Sequence, residues 1–350
     1  MIKKRQAITS LLGFILKYLF MAHVFDLGLI QPNLDLIFDA YEKEKGFVAV
    51  LYEDDVITIR FTSLQGIDVS TFSAQVVTDE SGESISIPVV YAEGPEIVPS
   101  LGRIGVDVPY AISRSDNFIR GGEQIGNIID GYYGTLGLMI QRISYNVQGR
   151  RGKKTCTTRN AVISNNHVLA RSDRGQIGEL IWARETTNEL GKLHCYIPFK
   201  IYPDLDFATA QLSHINQIKF WEIYQIGEIN NKFVTPKRNE KVKKFGATTG
   251  FKTGTVTGVT NIVVGGYSYK GVYITSRGFS CAGDSGALII STANNILGMH
   301  SWGDKVESCD QNPKGYFYTF NIAKNATGTA EASEAMITAS QDYEEETKKY

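Results

Sequence analysis

From about Gly46 onward the chain is a succession of short β-prone runs cut by turns, with little helical periodicity, and this pattern restricts it to a fold built from sheets. Residues 47–52, 56–61 and 85–91 each carry β-branched and aromatic side chains between Asp, Gly or Ser turns. The same texture continues through 118–325, the signature of a sandwich or barrel. Thirty-four glycines against nine prolines, with 18 tyrosines and 17 phenylalanines, supply the turns and the sheet surfaces such a fold needs.

The 350 residues allow two or three domains. Residues 1–26 open with Lys3, Lys4 and Arg5 ahead of an apolar stretch, which reads either as a signal-like segment or as an apolar N-terminal helix. Ile8, Leu11, Leu12, Ile15, Leu16, Leu19 and Phe20 recur at helical spacing, and Lys17 interrupts the run, so contact of residues 7–20 with a partner or a membrane surface is the alternative to export. Residues 34–41 read as a short helix ahead of the first strands, giving a small α+β domain over 27–117. It holds neither His nor Cys, so no chemistry is assigned to it. A polar, Gly-rich stretch at 112–123 reads as a linker, and 326–350 as a polar C-terminal tail.

Charge removes several functions. Thirty-six basic and 37 acidic residues leave a net charge of −1, so a nucleic-acid footprint over the whole chain is absent. The basic run 150–154 lies between two expected strands, where a charged hairpin tip is ordinary, and 237–244 has no aromatic interleaved for base stacking. Residues 246–253 miss the phosphate-loop spacing because Phe251 stands where a glycine is required. No metal site and no cofactor is expected; His194 and Cys195 find no further ligands at metal spacing, and His214 is an ordinary structural or surface residue.

One segment carries chemistry: Phe279-Ser280-Cys281-Ala282-Gly283-Asp284-Ser285-Gly286. Glycines on both sides of a serine allow a tight turn that presents the hydroxyl and aims the N–H groups of Gly283 and Ser285 at one point, where they would hold an oxyanion. A serine hydroxyl needs a base, and His167 follows a strand at a strand-to-loop exit. The imidazole in turn needs an acid. Asp206 directly precedes the apolar Phe207-Ala208 pair and is preferred over Asp204.

In this order, His167, Asp206 and Ser285 resemble the triad of the chymotrypsin/trypsin-like serine peptidases, in particular their compact bacterial members. The resemblance spans residues 120–325 and implies two six-stranded β-barrels, with His167 and Asp206 in the first and Ser285 in the second. It implies a Cys281–Cys309 half-cystine pair beside the substrate pocket. It also implies that Ser301-Trp302-Gly303 forms the edge that pairs with substrate backbone, and that 246–256 opens the second barrel. Phe279, Ser280, His300, Ser301, Trp302 and Gly303 map to the pocket. No aspartate stands at the pocket base, which argues against Lys or Arg at P1, the residue whose carbonyl is attacked. His300 resembles the histidine by which relatives hold Glu or Gln, while Phe279 would suit a small apolar side chain.

Val168 replaces the cysteine of the animal enzymes, so their histidine-loop bridge is missing, and Cys156 and Cys195 are equally readable as thiols or as a bridge. Arg120-Gly-Gly is only faintly similar to a zymogen cleavage point, since the apolar pair expected after the arginine is missing. The activity implied is that of a serine endopeptidase acting on a peptide or protein substrate; the alternative is an idle peptidase fold serving as a binding scaffold. Localisation reads as cytoplasmic or membrane-peripheral, with secretion the other choice.

Overall fold

The computed structural model describes residues 27–78, 84–104, 116–149, 152–184, 189–199 and 205–319. The N-terminal segment 1–26, its proposed membrane-facing stretch 7–20, the tail 326–350 and the competitor Asp204 lie outside the described residues.

Helix α1 (Leu27–Tyr41) starts earlier than the sequence suggests and buries Leu27, Ile30, Leu34, Ile37, Phe38 and Tyr41, a single face at three- and four-residue spacing. The hairpin of β1 (Phe47–Glu53) and β2 (Val56–Phe61) turns over Asp54 and Asp55. Both have positive φ (49° and 61°), as a tight two-residue hairpin turn demands. β3 (Ala74–Thr78) and β4 (Ser84–Glu93) extend this sheet, β4 running parallel to β2. The chain then passes through two short pieces, β5 (Ile97–Pro99) and β6 (Gly102–Arg103).

The described part of the stretch read as a linker, 116–123, holds strand structure. β7 (Ile119–Gly121) and β8 (Gln124–Asn127) fall in and after it, and Arg120 is buried, paired with Asp116 and Glu222 at 2.8 Å each. A side chain held this way is poorly placed for cleavage by another peptidase.

The first barrel comprises β8, β9 (Tyr132–Thr135), β10 (Leu138–Gly149), β11 (Gly152–Ser164), β12 (Leu180–Ala183), β13 (Glu189–Tyr196) and β14 (Ala208–Leu212), with a one-turn helix α2 (Asn166–Leu169) after β11. Pairing runs β8-β12-β13-β14-β11-β10. Only Leu136 and Gly137 separate β9 from β10, so one bent strand pairs with β8 at its start and with β11 at its end, closing a ring of six. Of the basic run 150–154, Gly152, Lys153 and Lys154 pair with Gly149, Gln148 and Val147 of β10, and Arg150 and Arg151 lie outside the described residues. A connection of β15 (Ile218–Ile223), β16 (Gly227–Glu228) and β17 (Asn230–Phe233) leads on, β15 pairing with β7.

The second barrel is β18 (Lys241–Gly246), β19 (Gly250–Val264), β20 (Tyr267–Thr275), β21 (Leu288–Ser291), β22 (Asn295–Asp304) and β23 (Gly315–Tyr318). Pairing runs β18-β21-β22-β23-β20-β19 and returns to β18, again a ring of six. The expected double six-stranded β-barrel of chymotrypsin type is thus built, preceded by a helix and strands.

That N-terminal unit is joined to the second barrel by backbone hydrogen bonds. The first part of β19 pairs with β18, and its later residues, Gly258 to Ile262, pair with β1 along the same edge. Alternate residues of β1 consequently face two apolar clusters: Ala49 and Leu51 join the one that unites both barrels, whereas Val50 and Tyr52 join the one beneath α1. A third cluster, built on Ile125, Met139, Val162 and Leu193, fills the first barrel.

Among the described residues both cysteine pairs are bridged: Cys281–Cys309, as the resemblance implied, and Cys156–Cys195, which the sequence left open. No described helix is long and apolar enough to cross a membrane.

Candidate active site

His167 lies in α2, three residues past the end of β11, and Asp206 lies two residues before β14, the strand paired with β11. Strand pairing therefore brings together two residues 39 apart in sequence. The carboxylate of Asp206 accepts twice from His167: Oδ1 from the backbone N–H at 3.1 Å, and Oδ2 from ring Nδ1 through a short contact. Both side chains are buried, and the second ring nitrogen, Nε2, has no partner. The imidazole is fixed with Nδ1 toward the acid and Nε2 free to take a proton.

Ser285 sits between β20 and β21 of the second barrel. Gly283 and Gly286 on either side have φ of 96° and 97°, a region that L side chains rarely adopt. Asn165 ties the two barrels together at this point: its Nδ2 donates to the Asp206 carbonyl and to Ser301 Oγ, both at 2.8 Å, and the Ser301 carbonyl accepts from Ser285 Oγ at 2.9 Å. The three residues singled out from the sequence thus converge on one hydrogen-bond network. The serine hydroxyl, however, is directed at Ser301 rather than at His167.

The two N–H groups expected to serve as oxyanion donors share one acceptor. The N–H of Gly283 and that of Ser285 meet a single acceptor, the carbonyl oxygen of Ser100, at 2.6 and 3.2 Å. Two donors on one oxygen is the geometry that stabilises a developing tetrahedral alkoxide. Nothing in the sequence pointed to Ser100, because its contribution is a backbone carbonyl and leaves no side-chain signature.

Asp284 holds this loop in shape. Its carboxylate accepts from Lys244 Nζ (2.8 Å), the N–H groups of Thr248 and Thr249 (3.1 Å each), Thr249 Oγ1 (2.7 Å) and the Cys281 N–H (3.0 Å). Burial alone would raise the Asp284 pKa, but the Lys244 charge and these hydrogen bonds hold it below the usual carboxylate range. Lys244, one member of the basic run 237–244, is fully buried, and burial draws its ammonium pKa down against the pull of Asp284. The segment 246–253 that misses the phosphate-loop pattern is the β18–β19 turn supplying two of those N–H groups.

The pocket residues divide. Ser280 Oγ and both ring nitrogens of His300 are buried without a hydrogen-bond partner, although the Tyr316 backbone lies near enough to His300 to bear on its proton affinity. Both side chains crowd the face of Gly315, where a Cβ would meet Ser280 Oγ and come within 3.2 Å of His300 Cε1. Burial, followed by the nearby Lys244 charge, pushes the His300 pKa down to about 3, so the ring is neutral at pH 7. The Phe279 ring is turned into the apolar cluster beneath α1, and the Trp302 indole into the cluster uniting the barrels, against Tyr269. What Phe279 and Trp302 offer the cleft is backbone, because their side chains are spent on the cores. A recess of about 70 Å³ beside Ser100 is lined by Ser280, Cys281, Ala282 and Gly303.

Cys156, His194 and Cys195 bring potential metal-ligand atoms within 4.8 Å of one another, but the two sulfurs are joined in a disulfide and are not available as thiolates.

No family model matches the chain, and no curated protein matches it. Solved structures do. The chain resembles bacterial chymotrypsin-like serine proteases. Protease A of Thermobifida fusca is 18% identical, over 60% of this chain and 96% of its own, with a TM-score of 0.40. The chymotrypsin of Cellulomonas bogoriensis is 16% identical over 63% and 99%, with a TM-score of 0.42. A serine protease described as glutamic-acid-specific, using a histidine triad in substrate binding, is 17% identical over 60% and 98%, with a TM-score of 0.41. At this level the assignment of fold rests on the two closed rings of strands described above.

Proposed function

We propose that the chain is a serine endopeptidase. His167 Nε2 takes the proton of Ser285 as Oγ attacks a peptide carbonyl, and returns it to the leaving amine; water then hydrolyses the acyl-enzyme through the same base. Asp206 keeps the ring in the tautomer that leaves Nε2 unprotonated and stabilises the imidazolium. The observation that carries the reading is the pair of N–H groups, on Gly283 and Ser285, converging on one carbonyl oxygen beside a buried His–Asp pair.

A polar P1 side chain suits the pocket best. Ser280 Oγ, which lines the recess, and His300, which faces it across Gly315, offer unused hydrogen-bonding capacity. Glu or Gln fits that hydrogen-bonding setting, and a small apolar side chain is the alternative.

The idle-scaffold reading has one observation in its favour: the Ser285 hydroxyl bonds to Ser301 while Ser100 fills the oxyanion site. A fluorophosphonate probe separates the two. It is applied to a full chain carrying Ser100→Pro, which lacks the N–H that Ser100 donates to the Ser301 carbonyl at 3.0 Å. Labelling abolished by a further Ser285→Ala change is the expected result; a folded chain that takes no label is a scaffold. Digestion of a peptide library then reads the P1 preference.

A further inference from the structure

A cavity of about 430 Å³ lies where the N-terminal unit meets the second barrel, away from the catalytic residues. β1 and β2 bring Glu53 and Arg60 to it, and the turn after β4 brings Glu93 and Gly94. The second barrel brings Arg277, just past β20, and Lys314, just before β23. Backbone contacts hold these loops together: the Gly278 N–H donates to the Pro313 carbonyl at 3.0 Å, and the Lys305 N–H to the Glu96 carbonyl at 2.8 Å.

Most of the charge on the wall is already spent. Glu53 takes the Lys314 ammonium through a short contact and the Thr257 hydroxyl at 2.7 Å. Asp304 takes Arg60 Nη2 at 3.0 Å and the Tyr316 hydroxyl at 2.8 Å. Lys305 gives its ammonium to Glu96 at 2.8 Å. Three groups keep capacity to bind. The Arg60 side chain is only 9% exposed, yet its Nε–H has no acceptor. The Arg277 guanidinium has no partner among the described residues. Glu93 accepts one N–H, from Leu64 onto Oε1 at 2.8 Å, and its other oxygen is unengaged among the described residues.

A buried guanidinium N–H without an acceptor is costly, and a ligand oxygen placed there recovers the loss. Gly94 keeps that approach open, since a Cβ there would stand 2.5 Å from Arg60 Cδ and 3.4 Å from Nε. A phosphate or sulfate would satisfy the two arginines but would bring its charge beside Glu93, Glu53 and Asp304, where like charges repel. A ligand of both signs uses all three open groups, and Leu51 and Val306 offer its body an apolar wall.

We propose that this cavity binds a small zwitterion with an apolar body, a free amino acid or a dipeptide, whose carboxylate meets Arg60 and Arg277 and whose ammonium meets Glu93. The planar fork of a guanidinium suits a carboxylate in particular. The site is independent of the peptidase reading. Its wall shares Lys305 and Val306 with the recess beside Ser100 but includes none of His167, Asp206 and Ser285.

The test is calorimetric titration of the full chain, separately with L-leucine and with glycyl-L-leucine, the two forms such a zwitterion takes. Saturable binding of one molecule per chain is expected, and the tighter of the two identifies the form. N-acetyl-L-leucine, which lacks the ammonium, and L-leucinamide, which lacks the carboxylate, should each bind about tenfold more weakly. Arg277→Gln and Glu93→Gln, both at exposed positions, should each weaken the zwitterion by about tenfold while leaving the thermal midpoint unchanged. Three results overturn the inference. No saturation by either zwitterion up to about 10 mM removes the site. Inorganic phosphate, or either blocked analogue, binding as tightly as the zwitterion shows that one sign of charge suffices. An affinity unchanged in either variant places the zwitterion elsewhere on the chain.

Discussion

His300 offers a direct measure of how far burial governs this site. The ring is fully buried and its pKa is about 3, against 6.5 for the exposed group. Between those values the unfolded chain binds a proton that the folded chain refuses, so stability rises with pH through this window and is lost as pH falls below about 6.5. At roughly 1.4 kcal/mol per unit, the full window is worth about 5 kcal/mol, and about 3 kcal/mol of it is gone by pH 4. His300→Asn removes the titration while keeping a polar group in the pocket. Urea unfolding of both proteins between pH 7.5 and 4 gives the comparison. The difference, wild-type-like minus variant, should shift against the histidine protein by about 3 kcal/mol on acidification. Parallel stability–pH curves would refute the reasoning, since they would mean that the ring is hydrated or paired and titrates normally.

Other outcomes follow from the same geometry. Asp206→Asn removes the acceptor that fixes the His167 tautomer, and kcat on a peptide substrate should fall by about three to four orders of magnitude with little change in KM. Lys244→Met strands the buried Asp284 carboxylate without its counter-charge and should cost about 3–5 kcal/mol in denaturant unfolding, a loss that Lys244→Arg, if it fits, partly restores. Replacing both Cys281 and Cys309 by serine opens a loop of 28 residues and should lower unfolding free energy by about 3–4 kcal/mol on the chain-entropy account, measured against the wild type under identical oxidising conditions.

Sequence reading singled out side chains whose chemistry is specific. His167 and Asp206 stood out because a serine nucleophile demands a base and an orienting acid, and few residues offered themselves; the pairing of β11 with β14 puts them in contact. The barrels were legible as strand-and-turn texture because alternation reports which face is buried. Lys244 was not legible as a buried cation. Within a basic run every lysine looks alike, and only the approach of Asp284, 40 residues away, decides which one leaves water. The bridge between Cys156 and Cys195 was equally undecided, since thiol pairing depends on the distance that β11, β14 and β13 impose.

Taken alone, then, the amino-acid order determines the texture of the sheets, the candidates for the catalytic side chains and the glycines that let Ser285 sit in its turn. Tertiary structure alone decides that the N-terminal strands continue the second barrel through β1 and β19, and that the carbonyl of Ser100 lies between the two oxyanion donors. The reason is physical: every residue except proline carries the same N–H and every residue the same C=O, so contacts made by the backbone leave no mark in the sequence and exist only once distant strands have met.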